Sequence, residues 1–332
     1  MEIHTLFKTQ YTKIGWAKIK VSKISLGTWG LGGSTINNLS YGFYSKEKAK
    51  KTILEAFENG INFFDTSLTY GNAEKIVGET IQKIRSNVII ASKLGVSKNY
   101  SRIPFDRKTA DKQVSSILKS IKSDYIDILQ LYNPKVNSED CIRYINYLKK
   151  LKKKGVIREY GLTLGSPNEI LNLNKNYMTS VIQCNFNLLD LRILNPKILK
   201  IIKKNNISIL ARTILNFGIF TENFLLKKNQ IFKKKDHRNG LAKQQLVLWR
   251  KALLEIKKIC NEDIENTAIK FVNSYKFVSS LIIGIQNKSE FKKNLNILNQ
   301  KALKKDQIKN ILLINKKNYF YKNLKPNNLL DN

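Results

Sequence analysis

Cysteine and histidine are scarce in this chain, and each scarcity removes a class of chemistry. Cysteine occurs only at Cys141, Cys184 and Cys260. Three widely spaced thiols leave one unpaired in any disulfide scheme, which suits a reducing compartment where cysteine packs as a small hydrophobe. Histidine occurs only at His4 and His237, and there is no Cys-x-x-Cys pair or Cys/His cluster, so no metal site is expected. No run of eighteen apolar residues is present to cross a bilayer. The first residues, MEIHTLFKTQ, lack the apolar core and cleavage site of a signal peptide. The expectation is a cytoplasmic protein without membrane attachment. A Gly-x-Gly-x-x-Gly fingerprint after the first strand is also missing, which argues against an open dinucleotide-binding sheet.

Acidic residues are the third shortage: 25 against 59 basic ones, a net charge of +34 at pH 7. Such a charge raises the question of a nucleic-acid or anionic-surface partner. The basic residues are strewn over most predicted helices, as at Lys46, Lys48, Lys50 and Lys51 or Lys301, Lys304 and Lys305, and do not gather beside a recognition motif. Specific binding needs a patch and base-reading groups. No specific nucleic-acid partner is therefore expected, and the excess is read as compositional, with Lys, Asn and Ile inflated together. The field still enriches anionic ligands, dinucleotides included, in a salt-dependent way.

What the chain does have is a repeat. Short, β-branched, apolar runs fall at 24–28, 62–66, 88–92, 125–132, 159–164, 181–186, 208–213 and 280–285, with little alternation, as in strands buried on both faces. Between them lie helical patterns, such as Ala110, Val114, Ile117, Leu118 and Ile121, or Ile53, Leu54 and Phe57. Ser45, Ser138 and Ser166-Pro167 read as helix starts. Eight strand–helix units predict an α/β protein with one (β/α)8 TIM barrel domain over residues 1–332, its core at about 20–300. An open doubly wound sheet is the alternative from pattern alone. The first twenty or so residues are expected to cap the barrel floor, and 301–332 to form one more helix with a polar, Asn-rich end. The basic, Phe-rich stretch 216–240 is a long loop on the catalytic face.

The most specific segment runs from Asn62 to Glu74, NFFDTSLTYGNAE. Asp65 falls at the carboxyl end of the second strand, Tyr70 in the loop after it, and Lys93 closes the third strand, where barrels keep their reactive groups. A tyrosine titrates near ~10 and is a poor proton shuttle at neutrality. A nearby ammonium is expected to lower that pKa, and a carboxylate to keep the ammonium charged. Such a tyrosine protonates a carbonyl oxygen as hydride reaches the carbon.

The string Leu26-Gly-Thr28-Trp-Gly-Leu-Gly-Gly33, then Asp65-Thr-x3-Tyr70-Gly-x-x-Glu74, then Ser92-Lys93, resembles the aldo-keto reductases. The similarity continues through 123–134, 155–163, 181–187, Ala211-Arg212, Asp236-His237-Arg238 and 284–294, in order, over about residues 20–300. Ala-Arg with a later Asp-His-Arg is similar to a bacterial branch that reads Leu-Gln-Leu-His-Asn-Pro at the fourth strand. The resemblance implies a catalytic set of Asp65, Tyr70 and Lys93, but Tyr132 stands where that branch has histidine. A tyrosine hydroxyl still bonds an oxygen, whereas losing a positioned acid–base group costs on the order of 10²–10⁴ in rate. Two outcomes stay open: carbonyl reduction with altered substrate choice, or a cofactor-binding sensor or accessory protein with weakened chemistry.

The resemblance also implies the cofactor contacts: Thr28 after the first strand, Thr163 and Gln183 for the nicotinamide carboxamide, and Arg212 stacking on the ring. Gly284, Gln286, Lys288, Glu290 and Asn294 match the segment that grips phosphates and adenine at a helix N-terminus. NADPH is the cofactor the family favours, with NADH as the alternative, because Glu290 stands where Gln or Arg is common and a carboxylate repels a 2′-phosphate. His237 is assigned to the loop after the seventh strand rather than to catalysis. The implied substrate is a small carbonyl compound or sugar; neither its identity nor the oligomeric state is written in the sequence.

Overall fold

β-Branched runs flanked by glycine and polar turns close on themselves here. In the computed structural model, which describes residues 9–33, 44–226, 232, 236–285, 288–318 and 320, eight parallel strands form a closed barrel. An antiparallel hairpin precedes it, β1 (Tyr11–Ile14) and β2 (Ile19–Ser22). The barrel strands are β3 (Ile24–Gly27), β4 (Phe63–Asp65), β5 (Ile89–Leu94), β6 (Ile126–Tyr132), β7 (Ile157–Thr163), β8 (Val181–Asn185), β9 (Ser208–Arg212) and β10 (Val278–Gly284), with β10 pairing both β9 and β3. All eight predicted strands are present within two residues of their expected ends. Parallel pairing with both faces covered explains why the strands read as continuous apolar runs.

The crossovers are α1 (Lys46–Glu58), α2 (Ala73–Ile81), α3 (Arg107–Ile121), α4 (Glu139–Lys153) and α5 (Pro196–Lys204), then α6 (Glu222–Leu226), α7 (Lys243–Cys260) and α8 (Ile264–Asn273) before β10, with α9 (Lys288–Leu298) and α10 (Lys305–Asn318) after it. Ser45 and Ser138 cap α1 and α4, accepting from the Lys48 and Cys141 amides. In α3 the buried residues are Ala110, Val114, Ile117 and Ile121, the expected stripe. In α1 the stripe is shifted: Ala49, Ile53 and Ala56 face the barrel while Leu54 points outward, 40% exposed. The Ser166-Pro167 start opens a short 3₁₀ turn, Pro167–Asn172, not a full helix. Asn174 begins a second short turn, Lys175–Tyr177, by accepting from the Asn176 amide, so local side-chain bonding competes with helix propagation.

The hairpin forms the expected cap on the barrel floor. Ile14, Ile19 and Val21 pack into the barrel axis against Phe63, Ile89, Ala91, Ile128, Val181, Leu210 and Ile282. Its turn is held by Ser208 and Glu159, which accept from the Gly15 and Ala17 amides. With the amino end plugged, polar side chains collect at the carboxyl end. The tail helix α10 buries Ile311 and Ile314, and among the described residues no helix is long and apolar enough to cross a membrane.

Candidate active site

The strand register dictates which side chains meet at the carboxyl mouth. Gly27 pairs with Asp65, Asp65 with Ala91, Lys93 with Gln130, Tyr132 with Thr163 and Thr163 with Gln183. Asp65 and Lys93 thus end adjoining strands and face each other inside the barrel. The Lys93 ammonium, wholly buried, donates to both Asp65 oxygens at 3.0 and 2.9 Å and to the Thr66 carbonyl at 2.9 Å. Gln183, from across the barrel, donates to Asp65 Oδ1 at 2.8 Å. Thr28 fixes the aspartate backbone, its amide and hydroxyl each donating to the Asp65 carbonyl at 3.0 Å.

Tyr70 joins this cluster, but not in the manner expected. Lys93 lies over the face of the Tyr70 ring, 4.8 Å from its centre, and its three N–H groups are taken by Asp65 and Thr66. The phenol is pushed well above its ordinary value, first by burial, then by the charge of Asp65 and by neighbouring Tyr100, against a smaller lowering pull from Arg212. The expectation of a lowered phenol is therefore corrected: desolvation wins, because the ammonium is already spent on a carboxylate.

Tyr132 is buried in a small cluster with Val96 and Tyr100, and Tyr70 packs against it. The Thr163 hydroxyl donates to Gln130 Oε1 at 3.2 Å, and Arg212 Nη2 donates to the Leu164 carbonyl at 3.1 Å. Gly284 ends β10 on the surface, and Glu290 and Asn294 follow on α9. Gln286 lies outside the described residues, as does the Lys288 side chain. His237 is buried edge-on between Trp29 and Phe217, at ring distances of 4.7 and 5.2 Å.

Several residues at the site were not singled out from the sequence. Trp29 Nε1 donates to the Tyr100 hydroxyl at 3.1 Å, which donates to the Thr69 carbonyl at 3.1 Å, so two aromatics brace the loop carrying Tyr70. Glu74 is buried, accepts from Ser92, and has its carboxyl pushed up to about 7 by desolvation, against lowering by Ser92 and Lys93. Its place in the Asn62–Glu74 segment was the available signal. Gln130 carried none, since nothing in a strand marks which way one amide will face.

A cavity of about 740 Å³ opens at this mouth. Asp65, Tyr70, Gln183 and Trp29 line one part of it; Arg212, Phe217, Phe232 and Arg238 follow, and Gly284, Glu265, Glu290, Lys293 and Asn294 line the part beside α8 and α9. Lys93, Tyr132 and Thr163 are buried next to residues of this wall, Lys93 against Asp65 and Tyr70, Tyr132 against Tyr70, and Thr163 in register with Gln183. The volume lies within the range of small-molecule and cofactor sites.

Fold and site define the class: a (β/α)8 barrel with titratable groups and a deep cleft at its carboxyl mouth. The chain belongs to the Aldo/keto reductase family, whose family model matches residues 23–316, and it is an oxidoreductase of that family. It is 28% identical over 305 residues to an uncharacterized oxidoreductase, YqkF, of Bacillus subtilis, covering 90% of this chain and 94% of the relative. It is 27% identical over 301 residues to an L-galactose dehydrogenase of Arabidopsis thaliana, covering 87% and 88%. Among solved structures, the glycerol dehydrogenase AKR11B4 of Gluconobacter oxydans superposes with a TM-score of 0.75 at 22% identity, covering 95% of this chain and 98% of that one; this likeness speaks for the fold alone.

Proposed function

We propose that this protein reduces the carbonyl of a small aldehyde, ketone or sugar, with a nicotinamide dinucleotide as hydride source and Tyr70 as proton donor. The observation that carries the reading is the grouping of Tyr70 with the Asp65–Lys93–Gln183 network on one cavity. The sugar-sized alternative draws support from the name of one relative, an L-galactose dehydrogenase.

The residues present fit such a cofactor. Among the described residues the Arg212 Nε–H, buried at the cavity, finds no hydrogen-bond acceptor, and a polar donor left in that state awaits a ligand. Gln183 and Thr163 are assigned to the nicotinamide carboxamide, Arg212 to the ring, Thr28 to holding the Asp65 backbone, and Gly284, Gln286, Lys288, Glu290 and Asn294 to the phosphates and adenosine. NADPH and NADH both serve this chemistry. When bound, the reduced nicotinamide supplies hydride to the carbonyl carbon.

The chain's own part is the proton. At neutral pH the high pKa keeps Tyr70 in the phenol form, the form that donates. An alkoxide is a stronger base than a phenolate, so transfer from the Tyr70 hydroxyl to the nascent alkoxide runs downhill. Lys93 packs over the ring face of Tyr70, and Asp65, itself held by Gln183, keeps Lys93 in place. Tyr132, packed beside Tyr70, is assigned the carbonyl-orienting role through its hydroxyl.

A second reading, a cofactor-binding sensor or accessory protein with little turnover, is favoured by one observation: Tyr132 is sealed in an aromatic cluster where the bacterial branch has histidine. Mixing cofactor-loaded protein with a panel of aldehydes and sugars in stopped flow separates the two. Cofactor oxidation within seconds supports the reductase; binding without oxidation by any member supports the sensor.

A further inference from the structure

We infer that Tyr100 sets the size of substrate that reaches Tyr70, admitting slim open-chain aldehydes and refusing those with a ring beside the carbonyl. The inference rests on the reductase reading, which puts the reacting carbonyl at the Tyr70 hydroxyl with the nicotinamide next to it. Room there is short. Pockets for drug-sized ligands run to about 300–1,000 Å³, and this cavity of about 740 Å³ has to hold a dinucleotide and the substrate together. With the dinucleotide drawn out past Arg212 to Gly284, the substrate is left the end beside Trp29 and Tyr70.

Among the described residues the cavity stops at that pair, and Tyr100 backs both of them. Its buried ring packs with Val96 and Tyr132 in the cluster that meets Tyr70. Its hydroxyl accepts from Trp29 Nε1 and donates to the Thr69 carbonyl, each at 3.1 Å, and so ties together the loops after β3 and β4. A wide substituent on the carbonyl carbon therefore has to displace this ring.

The loop that carries Tyr100, after β5, is built to resist that. Val96 bridges Arg102, the Ser97 amide donates to the Ser101 carbonyl at 2.9 Å, and the Ile103 amide donates to the Gly95 carbonyl at 3.0 Å. Gln113 of α3 clamps the base, accepting from the Gly95 amide at 3.0 Å and donating to the Val96 carbonyl at 2.8 Å. Tyr100 itself has a left-handed backbone, φ +63°, which is unfavourable for a bulky L residue. Strain of this kind persists only where the surroundings over-determine it, and it gathers at ligand sites. The wall is rigid, so a ring on the substrate meets it and does not move it.

The test compares kcat/KM for propanal and cyclohexanecarbaldehyde, two aliphatic aldehydes of similar reactivity and different width, in wild type, Tyr100→Gly and Tyr100→Phe. Glycine suits the left-handed backbone and removes only the ring; phenylalanine keeps the ring and loses both hydrogen bonds. Wild type is expected to favour propanal by about tenfold or more, and Tyr100→Gly to shrink that preference by about tenfold. Tyr100→Phe should keep the preference near that of wild type, whatever happens to the absolute rates. A melting temperature near wild type shows the variants folded. Equal use of the two aldehydes by wild type, a preference unmoved in folded Tyr100→Gly, or a shift as large in Tyr100→Phe overturns the size limit and leaves the reductase standing. Oxidation of bound cofactor by neither aldehyde in any of the three proteins overturns both.

Discussion

The Lys93 ammonium sits 4.8 Å from the centre of the Tyr70 ring, over its face, with its three N–H groups directed to Asp65 and Thr66. A lysine in this position stabilises the ring electrostatically without assisting ionisation of the hydroxyl. Because burial and Asp65 hold the phenol well above 10.0, the acid form persists through the alkaline range. The alkaline limb of kcat for carbonyl reduction is therefore expected above about pH 10. A pH–rate profile with a small aldehyde checks this; a falling limb centred at about pH 8 to 9 contradicts it.

Behind Lys93, Glu74 carries a second pH dependence, in stability. Burial pushes its carboxyl up to about 7, against lowering by Ser92 and Lys93. The native state thus holds this proton more tightly than the unfolded chain does. The contribution is complete below about pH 4.5 and is lost as pH rises through about 7, amounting to roughly 3 kcal/mol. Glu74→Gln, neutral throughout, should flatten the fall in unfolding free energy between these pH values. Urea denaturation at several pH values measures it, and an unchanged slope speaks against the assignment.

Asp65 is the sole carboxylate bonded to Lys93, among the described residues, inside the barrel. Asp65→Asn leaves a buried ammonium without its counter-charge and is expected to cost about 3–5 kcal/mol. Asp65→Asn combined with Lys93→Met removes both charges and should be more stable than Asp65→Asn alone. Chemical denaturation of the two variants decides the order.

Gly32 holds the Tyr70 loop by proximity. A Cβ built there lies 1.7 Å from the Tyr70 carbonyl oxygen, and the Gly32 carbonyl accepts from the Asn72 amide at 3.0 Å. Gly32→Ala must push the tyrosine loop outward. Displacements of about 1 Å at a reacting group cost up to about 10²-fold in rate, so kcat should drop tenfold or more while dinucleotide affinity changes less. Steady-state kinetics with a binding titration separates these effects.

The strands were legible because burial on both faces writes itself as unbroken runs such as Ile126–Tyr132. The convergence of Asp65 and Lys93 was legible for a topological reason: consecutive strand ends in a parallel barrel are neighbours. The sense of the Tyr70 shift was not, since it depends on where three N–H vectors of Lys93 point. The Ser166-Pro167 turn misled because a capping box marks a start, and the Asn-rich residues after it decide how far the helix runs. Glu265 and Lys293 stand 28 residues apart and meet only through the packing of α8 on α9. The brace of Trp29 and Tyr100 was equally hidden, joining loops 71 residues apart.

The most direct test of proton donation by Tyr70 is a single-turnover comparison of wild type and Tyr70→Phe, each loaded with reduced cofactor and mixed with an aldehyde. Cofactor should bind both with similar affinity, while its oxidation slows by about 10²–10⁴ in the phenylalanine variant. Equal oxidation rates would remove Tyr70 from the chemistry.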